Sequence, residues 1–144
     1  MIRNMRVGEA EAVAQMSRRL AEHHGDTGTL EAGALARLVA QGWLQVLVAE
    51  EAGALVGYAA LVRKVKTHEG ARGLHVDNLY VQRAARGRGV GRALMDAAAQ
   101  LARAQGCAAL TVGAADANAE AQAFYTAGGF AEAPRTGRAY ALAL

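Results

Sequence analysis

A run of alternating arginine and glycine, Arg86-Gly87-Arg88-Gly89-Val90-Gly91-Arg92, constrains the fold of this chain more than any other segment. The apolar stretch Gly73–Val81 precedes it and a helical pattern over Val90–Gln105 follows it, so the run predicts a tight loop between a strand and a helix. Another strand over Ala108–Val112 completes a strand, loop, helix, strand crossover. A βαβ unit of this kind is typical of α/β folds.

The rest of the chain predicts the other elements of the same sheet. Hairpins early in the sequence and a βαβ unit late in it indicate a mixed, mostly antiparallel sheet with helices on its flanks. With 144 residues and neither linker nor internal repeat, residues 1–144 are expected to form one domain. The remaining elements are a strand near Arg3–Met5, helices over Glu9–His24 and Glu31–Gln41, strands over Leu44–Glu50 and Ala54–Lys64, a short helix after Asn118, and a final strand through Tyr140–Leu144.

Composition argues against several classes of protein. No apolar run approaches the roughly 18 residues that cross a bilayer, so no membrane partner is expected. A net charge of +3 and 5% aromatic residues argue against a nucleic-acid partner. Cys107 is the only cysteine, which is consistent with the reducing cytoplasm. No metal is expected, because His68 and His75 lack suitably spaced Cys, Asp or Glu partners.

The loop has the chemistry of an anion site. A helix start exposes backbone amides and carries partial positive charge, yet three arginines crowd it and the first acid of this helix is Asp96. Cations there are unfavourable unless a polyanion binds, so we infer a phosphate-bearing ligand. The alternative is a tight turn with solvated arginines. The run is not a P-loop, because it lacks the Gly-Lys-Ser or Gly-Lys-Thr of that motif. It also does not match the G-x-G-x-x-G fingerprint of dinucleotide-binding loops, because the third glycine, Gly91, comes one residue too early.

These residues resemble the GNAT superfamily of N-acetyltransferases. The family signature of Arg or Gln, two residues, Gly, one residue, then Gly or Ala matches Arg86, Gly89 and Gly91, between a suitable strand and the later segment Asn118–Tyr125. The resemblance implies a single-domain GNAT-like fold whose sheet is splayed in the middle. The strand around Asp77 looks particularly like that of diamine and thialysine acetyltransferases, although Asn78 replaces an acid common there.

The resemblance also implies the ligand and the residues that hold it. Acetyl-CoA would be the cosubstrate, with its pyrophosphate on the loop amides and its pantetheine arm beside the preceding strand. No metal is implied. The implied cofactor-binding residues are Leu79, Tyr80, Val81, Arg86, Gly87, Arg88, Gly89, Val90, Gly91, Arg92, Asn118 and Tyr125.

Two side chains are implied to be catalytic. Tyr125 would protonate the departing thiolate, and Asp77 would take a proton from the substrate amine or anchor it. Strand alternation predicts that His75, Asp77 and Leu79 share one face, unless a β-bulge intervenes. A purely structural role remains open for three of these residues. Tyr125 would then be a core aromatic, Asp77 a hydrogen-bond partner of a loop, and Asn118 a plain helix cap. Similarly, the cluster Glu22–Asp26 could bind a cationic amine or be a solvated helix end.

The resulting hypothesis is an acetyl-CoA-dependent N-acetyltransferase acting on a primary amine of a small molecule or peptide by direct attack. The alternative is a non-catalytic acyl-CoA-binding or regulatory module, which would not need Tyr125 or Asp77. The apolar end Ala139–Leu144 could pair across a homodimer, because an unpaired edge strand invites such pairing.

Overall fold

The structure is a computed structural model that describes all 144 residues. Residues 1–113 form one compact unit and residues 114–144 form another. The helices α1 to α4 are Ala10–His23, Ala32–Ala40, Val90–Ala104 and Ala119–Ala127. The strands β1 to β5 are Ile2–Asn4, Gln45–Glu51, Ala54–Lys66, Ala71–Val81 and Ala109–Val112. Short 3-10 helices are Val7–Glu9 and Arg83–Ala85.

The five strands form one sheet in the order β1-β2-β3-β4-β5. Every neighbouring pair is antiparallel except β4 and β5, which run parallel and are joined through α3. The predicted α/β class, with a mixed and mostly antiparallel sheet flanked by helices, is therefore confirmed. None of the helices combines the length and apolar character needed to cross a membrane.

The sheet is buried on both faces in its centre. Val46 and Val48 of β2 pack in one cluster with residues of α1 and α2, while the intervening Leu47 and the following Ala49 are equally buried on the opposite face. A strand covered on both sides needs apolar residues at successive positions rather than at alternate ones. The nearly continuous apolar run in β2 correctly predicted this position.

Helix α3 approaches the other face closely at Gly57 of β3. A Cβ atom at this position would lie 2.7 Å from the carbonyl oxygen of Tyr80 in β4 and 3.4 Å from Cδ1 of Leu94 in α3. Any side chain there would collide with the neighbouring backbone, so β3 requires glycine to keep its contact with β4.

The sheet is splayed between its last two strands. Residues Gly73–Val76 of β4 pair with Ala109–Val112 of β5, and the pairing stops there. Residues 78–81 of β4 pair with β3 on one side, and residues 77–81 have no strand neighbour on the other. This open edge confirms the splay implied by the family resemblance.

The predicted final strand is wrong. Residues 130–144 contain no strand, and the large apolar side chains of Tyr140, Leu142 and Leu144 are all exposed. Alternating apolar residues favour an extended conformation, but a strand also needs a neighbour that supplies hydrogen bonds, and none pairs with this segment. A homodimer formed through this segment stays a prediction.

A network of charged side chains ties β1 to β2 and to the start of α1. The guanidinium of Arg3 contacts Glu9 (Nη2 to Oε1, 2.6 Å) and Glu50 (Nε to Oε2, 3.1 Å). The second carboxylate oxygen of Glu9 accepts a hydrogen bond from the amide of Arg6 (2.8 Å). These bonds, that of Arg3 first, lower the pKa of Glu9 from 4.5 to about 2.

We expect Glu9→Gln to lower the melting temperature at pH 7 by a few degrees, on the order of what a partly exposed ion pair contributes. Because folding lowers this pKa, the carboxylate stabilises the fold fully above pH 4.5 and loses that contribution as the pH falls through about 2. Thermal melts at pH 7 and pH 2 should therefore show the variant approaching the wild type in acid. Glu69→Gln, at an exposed and loose pair with Lys66 (3.9 Å), is the control and should change neither melt. If Glu9→Gln lowered the melting temperature equally at pH 7 and pH 2, the loss of stability would not come from the charge of Glu9.

Candidate functional site

The loop between β4 and α3 is held open by two glycines. Gly87 and Gly89 have φ angles of 75° and 83°, which side-chain-bearing residues rarely adopt. A Cβ atom at either position would meet no protein atom within 4 Å, so the loop backbone faces open space. Gly89 is the N-cap of α3, and no side chain caps that helix.

The electrostatics of this helix start suit an anion. Val90, Gly91 and Arg92 form the first turn of α3, which contains no acidic residue. The start of α3 lies at the positive end of the helix dipole, and the N-cap residue Gly89 supplies no side-chain cap to its amides. Open glycine backbone and uncapped amides are the donors that a diphosphate needs, so the loop fits the pyrophosphate of coenzyme A.

Arg86 and Arg88 of this loop have different partners. Arg86 donates from Nε to the carbonyl oxygen of Val81 (2.8 Å), and its guanidinium lies 5.8 Å from the ring centroid of Tyr80. It thus fastens the loop to the end of β4. Arg88 pairs with Glu51 at the end of β2 (Nη2 to Oε2, 2.7 Å), with both side chains partly exposed. Sequence reasoning missed Glu51, since no local pattern links residues 37 positions apart.

Strand β4 contains a β-bulge at Asp77. In the register with β3, Ala60 pairs with Asn78 and Leu61 pairs with Val76, so Asp77 is an extra residue without a partner. Because cross-strand partners share a face, Val76 and Asn78 lie on opposite faces of the sheet although they are two residues apart.

The bulge corrects the predicted arrangement of side chains. His75 and Leu79 were expected on one face together with Asp77, but the extra residue places His75 and Leu79 on opposite faces. The sequence pattern could not show this, because a bulge depends on the partner strand rather than on β4 alone.

The bulge also changes which backbone groups face the open edge. Upstream of it, the carbonyl of Arg72 accepts a bond from the segment entering β5 (2.8 Å), whereas downstream the amide of Gln82 donates to β3 (2.7 Å). Residues ten apart would face the same side in an uninterrupted strand. By alternation from Gln82, the backbone groups of Leu79 and Val81 face the open edge, while those of Tyr80 face β3.

Asp77 and His75 lie beside the place where β4 and β5 separate. The Asp77 side chain is exposed. His75 Nδ1 lies 2.8 Å from the hydroxyl oxygen of Thr111 in β5. Burial first, and then the charge of Lys64, lowers the pKa of His75 below 6.5, so its ring is neutral at pH 7. The carboxylate of Asp77 has an opposing influence on the pKa of His75.

Tyr58 and Asn78 form a polar contact that sequence reasoning also missed. The Tyr58 hydroxyl donates to Asn78 Oδ1 (3.2 Å), and Asn78 Nδ2 donates to the carbonyl oxygen of Asp77 (2.8 Å). Burial raises the pKa of Tyr58 to about 12, and a hydrogen bond with Ser17 of α1 partly opposes that rise. The hydroxyl therefore stays protonated and remains a donor throughout the neutral range.

In the second unit, Asn118 is the N-cap of α4. Its Oδ1 accepts a hydrogen bond from the amide of Ala121 (3.0 Å), so its role as a helix cap is confirmed. Tyr125 lies seven residues along the same helix, about 10 Å away on the same face. Its ring has edge contacts with Phe124 and Phe130, at centroid distances of 5.4 and 6.0 Å. Burial raises the pKa of the Tyr125 hydroxyl.

The cluster at the end of α1 is exposed to solvent. Glu22, His23, His24 and Asp26 are all exposed, with the two imidazole rings 5.7 Å apart. An open cleft of about 600 Å³ lies farther back along α1, where Glu11 and Arg18 face residues 28–33. No group of three potential metal ligands occurs in the structure.

The sequence profile of the acetyltransferase (GNAT) family matches residues 12–130. The chain belongs to this family. Acetyl transfer is the activity of the family, and the predicted membership of the GNAT superfamily is confirmed. The match spans the open loop, the splayed strands and α4, so the open glycine loop belongs to an acetyltransferase domain.

Solved structures with the same fold support this assignment of architecture. The acetyltransferase aligns over 99% of its length with 99% of a ribosomal-protein-alanine N-acetyltransferase from Brucella melitensis biovar Abortus 2308, with a TM-score of 0.78 and 22% identity. It aligns over 99% of its length with 98% of an aminoglycoside acetyltransferase from an uncultured soil metagenomic sample (TM-score 0.81, 21% identity). A Trypanosoma brucei acetyltransferase matches over 98% of this chain and 99% of its own (TM-score 0.76, 22% identity). No curated protein sequence matches the chain.

Proposed function

We propose that this acetyltransferase transfers the acetyl group of acetyl-CoA to a primary amine by direct attack. One observation carries the proposal: the open edge of β4 leads directly into the uncapped, glycine-lined start of α3. Arg86 fastens the two together through the carbonyl of Val81. A strand edge can bind an extended amide-containing arm, and a helix start can bind a diphosphate, in the order in which coenzyme A carries them.

The loop and the strand have separate tasks in this proposal. Amides at the start of α3 bind the pyrophosphate, and Arg88 supplies a positive side chain beside it. The backbone groups of Leu79 and Val81 pair with the pantetheine arm. The amide of Leu79 then donates to the thioester carbonyl and stabilises the negative charge that develops on its oxygen.

Proton transfer is assigned to two side chains. A lysine-like amine has a pKa near ~10.4 and must lose a proton before it attacks, and the exposed carboxylate of Asp77 accepts that proton or anchors the cation. The amine nitrogen bonds to the carbonyl carbon, the carbon–sulfur bond breaks, and the second proton lost by the nitrogen replaces the one that Tyr125 gives to the sulfur. Tyr125, kept protonated by its raised pKa, donates to the departing thiolate.

The acceptor class remains broad in this proposal. Similar folds occur in acetyltransferases whose acceptors are aminoglycosides or a ribosomal protein, and at this level of identity they support the architecture alone. The strand around Asp77 is similar to that of diamine acetyltransferases, whereas Asn78 departs from their pattern. We therefore propose a small-molecule or peptide primary amine, recognised beside Asp77.

The test is thiol release from acetyl-CoA with a panel of diamines, aminoglycosides and peptides with a free N-terminal amine. We expect at least one amine to release thiol in step with the appearance of its acetylated product by mass spectrometry. Acetyl-CoA binding measured by calorimetry, with no product from any amine, would instead favour a non-catalytic acyl-CoA-binding module. Absence of acetyl-CoA binding would contradict the proposal at its first step.

A further inference from the structure

Two hydrogen bonds run from β3 to the bulge in β4. The hydroxyl of Tyr58 in β3 donates to Asn78 Oδ1, and Asn78 Nδ2 donates to the backbone carbonyl of Asp77. The chain of bonds therefore joins β3 to β4 and ends on the residue that the register leaves unpaired.

The direction of every bond in this chain is determined by chemistry. A backbone carbonyl can only accept, so the amide nitrogen of Asn78 must face Asp77, and its oxygen must face Tyr58. That oxygen can only accept, so the Tyr58 proton points to Asn78. The arrangement has no equivalent alternative in which the Asn78 amide is flipped.

The Tyr58 end of the chain of bonds is buried. The Tyr58 residue is 1% exposed, so its hydroxyl cannot replace a lost partner with bulk solvent. Removing this hydroxyl would leave the Asn78 oxygen without its donor in a partly buried position. An unmade bond of this kind costs more than the bond itself contributes when formed.

The end of the chain controls the part of β4 that faces the open edge. The extra residue at Asp77 reverses the alternation of the backbone, and that reversal turns the amide of Leu79 away from β3. If Asp77 instead paired with Ala60, Leu79 would lie opposite Tyr58, and its amide would face β3 and could not reach a ligand between β4 and β5. Whatever holds the Asp77 peptide therefore also aims the Leu79 amide.

We propose that Tyr58 and Asn78 are positioning residues that hold the β4 bulge and thereby aim the Leu79 amide at the acetyl carbonyl. The catalytic part of this inference rests on the proposed function, whereas the bulge itself can be tested without any turnover. Neither side chain needs to touch a substrate. Their effect is transmitted through one backbone segment, residues 77–79.

The direct test is Tyr58→Phe, which keeps the ring and removes only the hydroxyl. Backbone amide resonances and hydrogen exchange of residues 77–79 should change, because the Asn78 side chain loses its fixed orientation. The matched control is Val13→Ala, which removes buried volume from the same cluster on α1 without touching the chain of bonds. It should lower the melting temperature and leave the amides of residues 77–79 as in the wild type.

The kinetic test uses the same two variants and the best amine of the panel. We expect Tyr58→Phe to lower kcat roughly 10-fold with little change in the KM for acetyl-CoA, since complete loss of one oxyanion donor costs about 10²- to 10³-fold. Asn78→Asp should act in the same direction, because a carboxylate cannot donate to the Asp77 carbonyl.

A positioning role requires that Tyr58→Phe change both the amides of residues 77–79 and kcat. Altered amides with wild-type kcat would overturn the positioning role, and lowered kcat with unaltered amides would show that the effect bypasses the bulge. An effect of Val13→Ala on kcat equal to that of Tyr58→Phe would reduce the role to general stability. If the wild type acetylates no amine, the proposed function fails. Unaltered amides of residues 77–79 in Tyr58→Phe would separately contradict the proposal that these hydrogen bonds hold the bulge.

Discussion

Tyr125→Phe is expected to lower kcat about 100-fold with little effect on folding. The substitution keeps the ring and its edge contacts with Phe124 and Phe130, and it removes only the hydroxyl that we propose as the proton donor to the departing thiolate. Loss of a positioned general acid typically costs about 10²- to 10⁴-fold. We choose the lower end because a thiolate is already a good leaving group, with a thiol pKa near ~8.5. Thiol release under saturating acetyl-CoA measures the effect.

The matched control for this variant is Tyr140→Phe. Tyr140 lies in the same unit of the chain as Tyr125 and is 90% exposed, and the substitution removes the same hydroxyl group. The kcat of Tyr140→Phe should equal that of the wild type. Burial raises the pKa of Tyr125, so any loss of wild-type activity from its ionisation should occur only above pH ~10. Equal kcat values for Tyr125→Phe and the wild type would remove Tyr125 from the mechanism and favour a packing role.

Arg88→Glu is expected to weaken acetyl-CoA binding roughly 30- to 100-fold, because it places a negative charge beside the site that we propose for the pyrophosphate and removes a charge-assisted donor there. The fold should be retained, since Arg88 is 56% exposed and its ion pair with Glu51 contributes little to stability. Calorimetric titration with acetyl-CoA measures the loss. The defect should shrink as salt is added, because screening weakens repulsion between exposed charges.

Glu51→Gln separates the ion pair of Arg88 from its proposed contact with the pyrophosphate. It breaks the same ion pair but leaves the positive side chain in the loop, so acetyl-CoA affinity should be unchanged or a few-fold tighter. A loss of affinity in Glu51→Gln comparable to that in Arg88→Glu would mean that the ion pair shapes the loop. Unaltered affinity in Arg88→Glu would remove this arginine from the binding site.

The helices and most strands could be predicted because their signals are local. The stripe of Val13, Met16 and Leu20 on α1, and the continuous apolar run of β2, each reflect the surface that the element buries. The glycine loop could be predicted for the same reason, since its function requires particular backbone angles at Gly87 and Gly89. These features are properties of short segments.

The features that the sequence could not show depend on contacts between distant segments. The Tyr58 to Asn78 bond joins residues 20 positions apart, and the Glu51 to Arg88 pair joins residues 37 apart. Nothing in the sequence around Tyr58 or Glu51 indicates such a distant partner. The bulge at Asp77 is a property of the register with β3, and it overturned the expected shared face of His75 and Leu79.

The failed prediction at the end of the chain has the same cause. Tyr140, Leu142 and Leu144 alternate with alanines as a half-buried strand does, yet all three are exposed. Periodicity describes what a segment can bury and does not supply the neighbour that it needs. The cap at Asn118 was easier to predict, because its partner is Ala121 in the same turn.

The bulge has an evolutionary consequence for β4. Because Asp77 is the residue of β4 that has no partner on β3, an in-frame loss of its codon would leave Asn78 opposite Ala60 and Leu79 opposite Ala59. The backbone groups of Leu79 would therefore still face the open edge. The register with β3 thus tolerates the loss of this one codon, whereas the loss of a codon farther along β4 would move the residues between it and Asp77 opposite different partners.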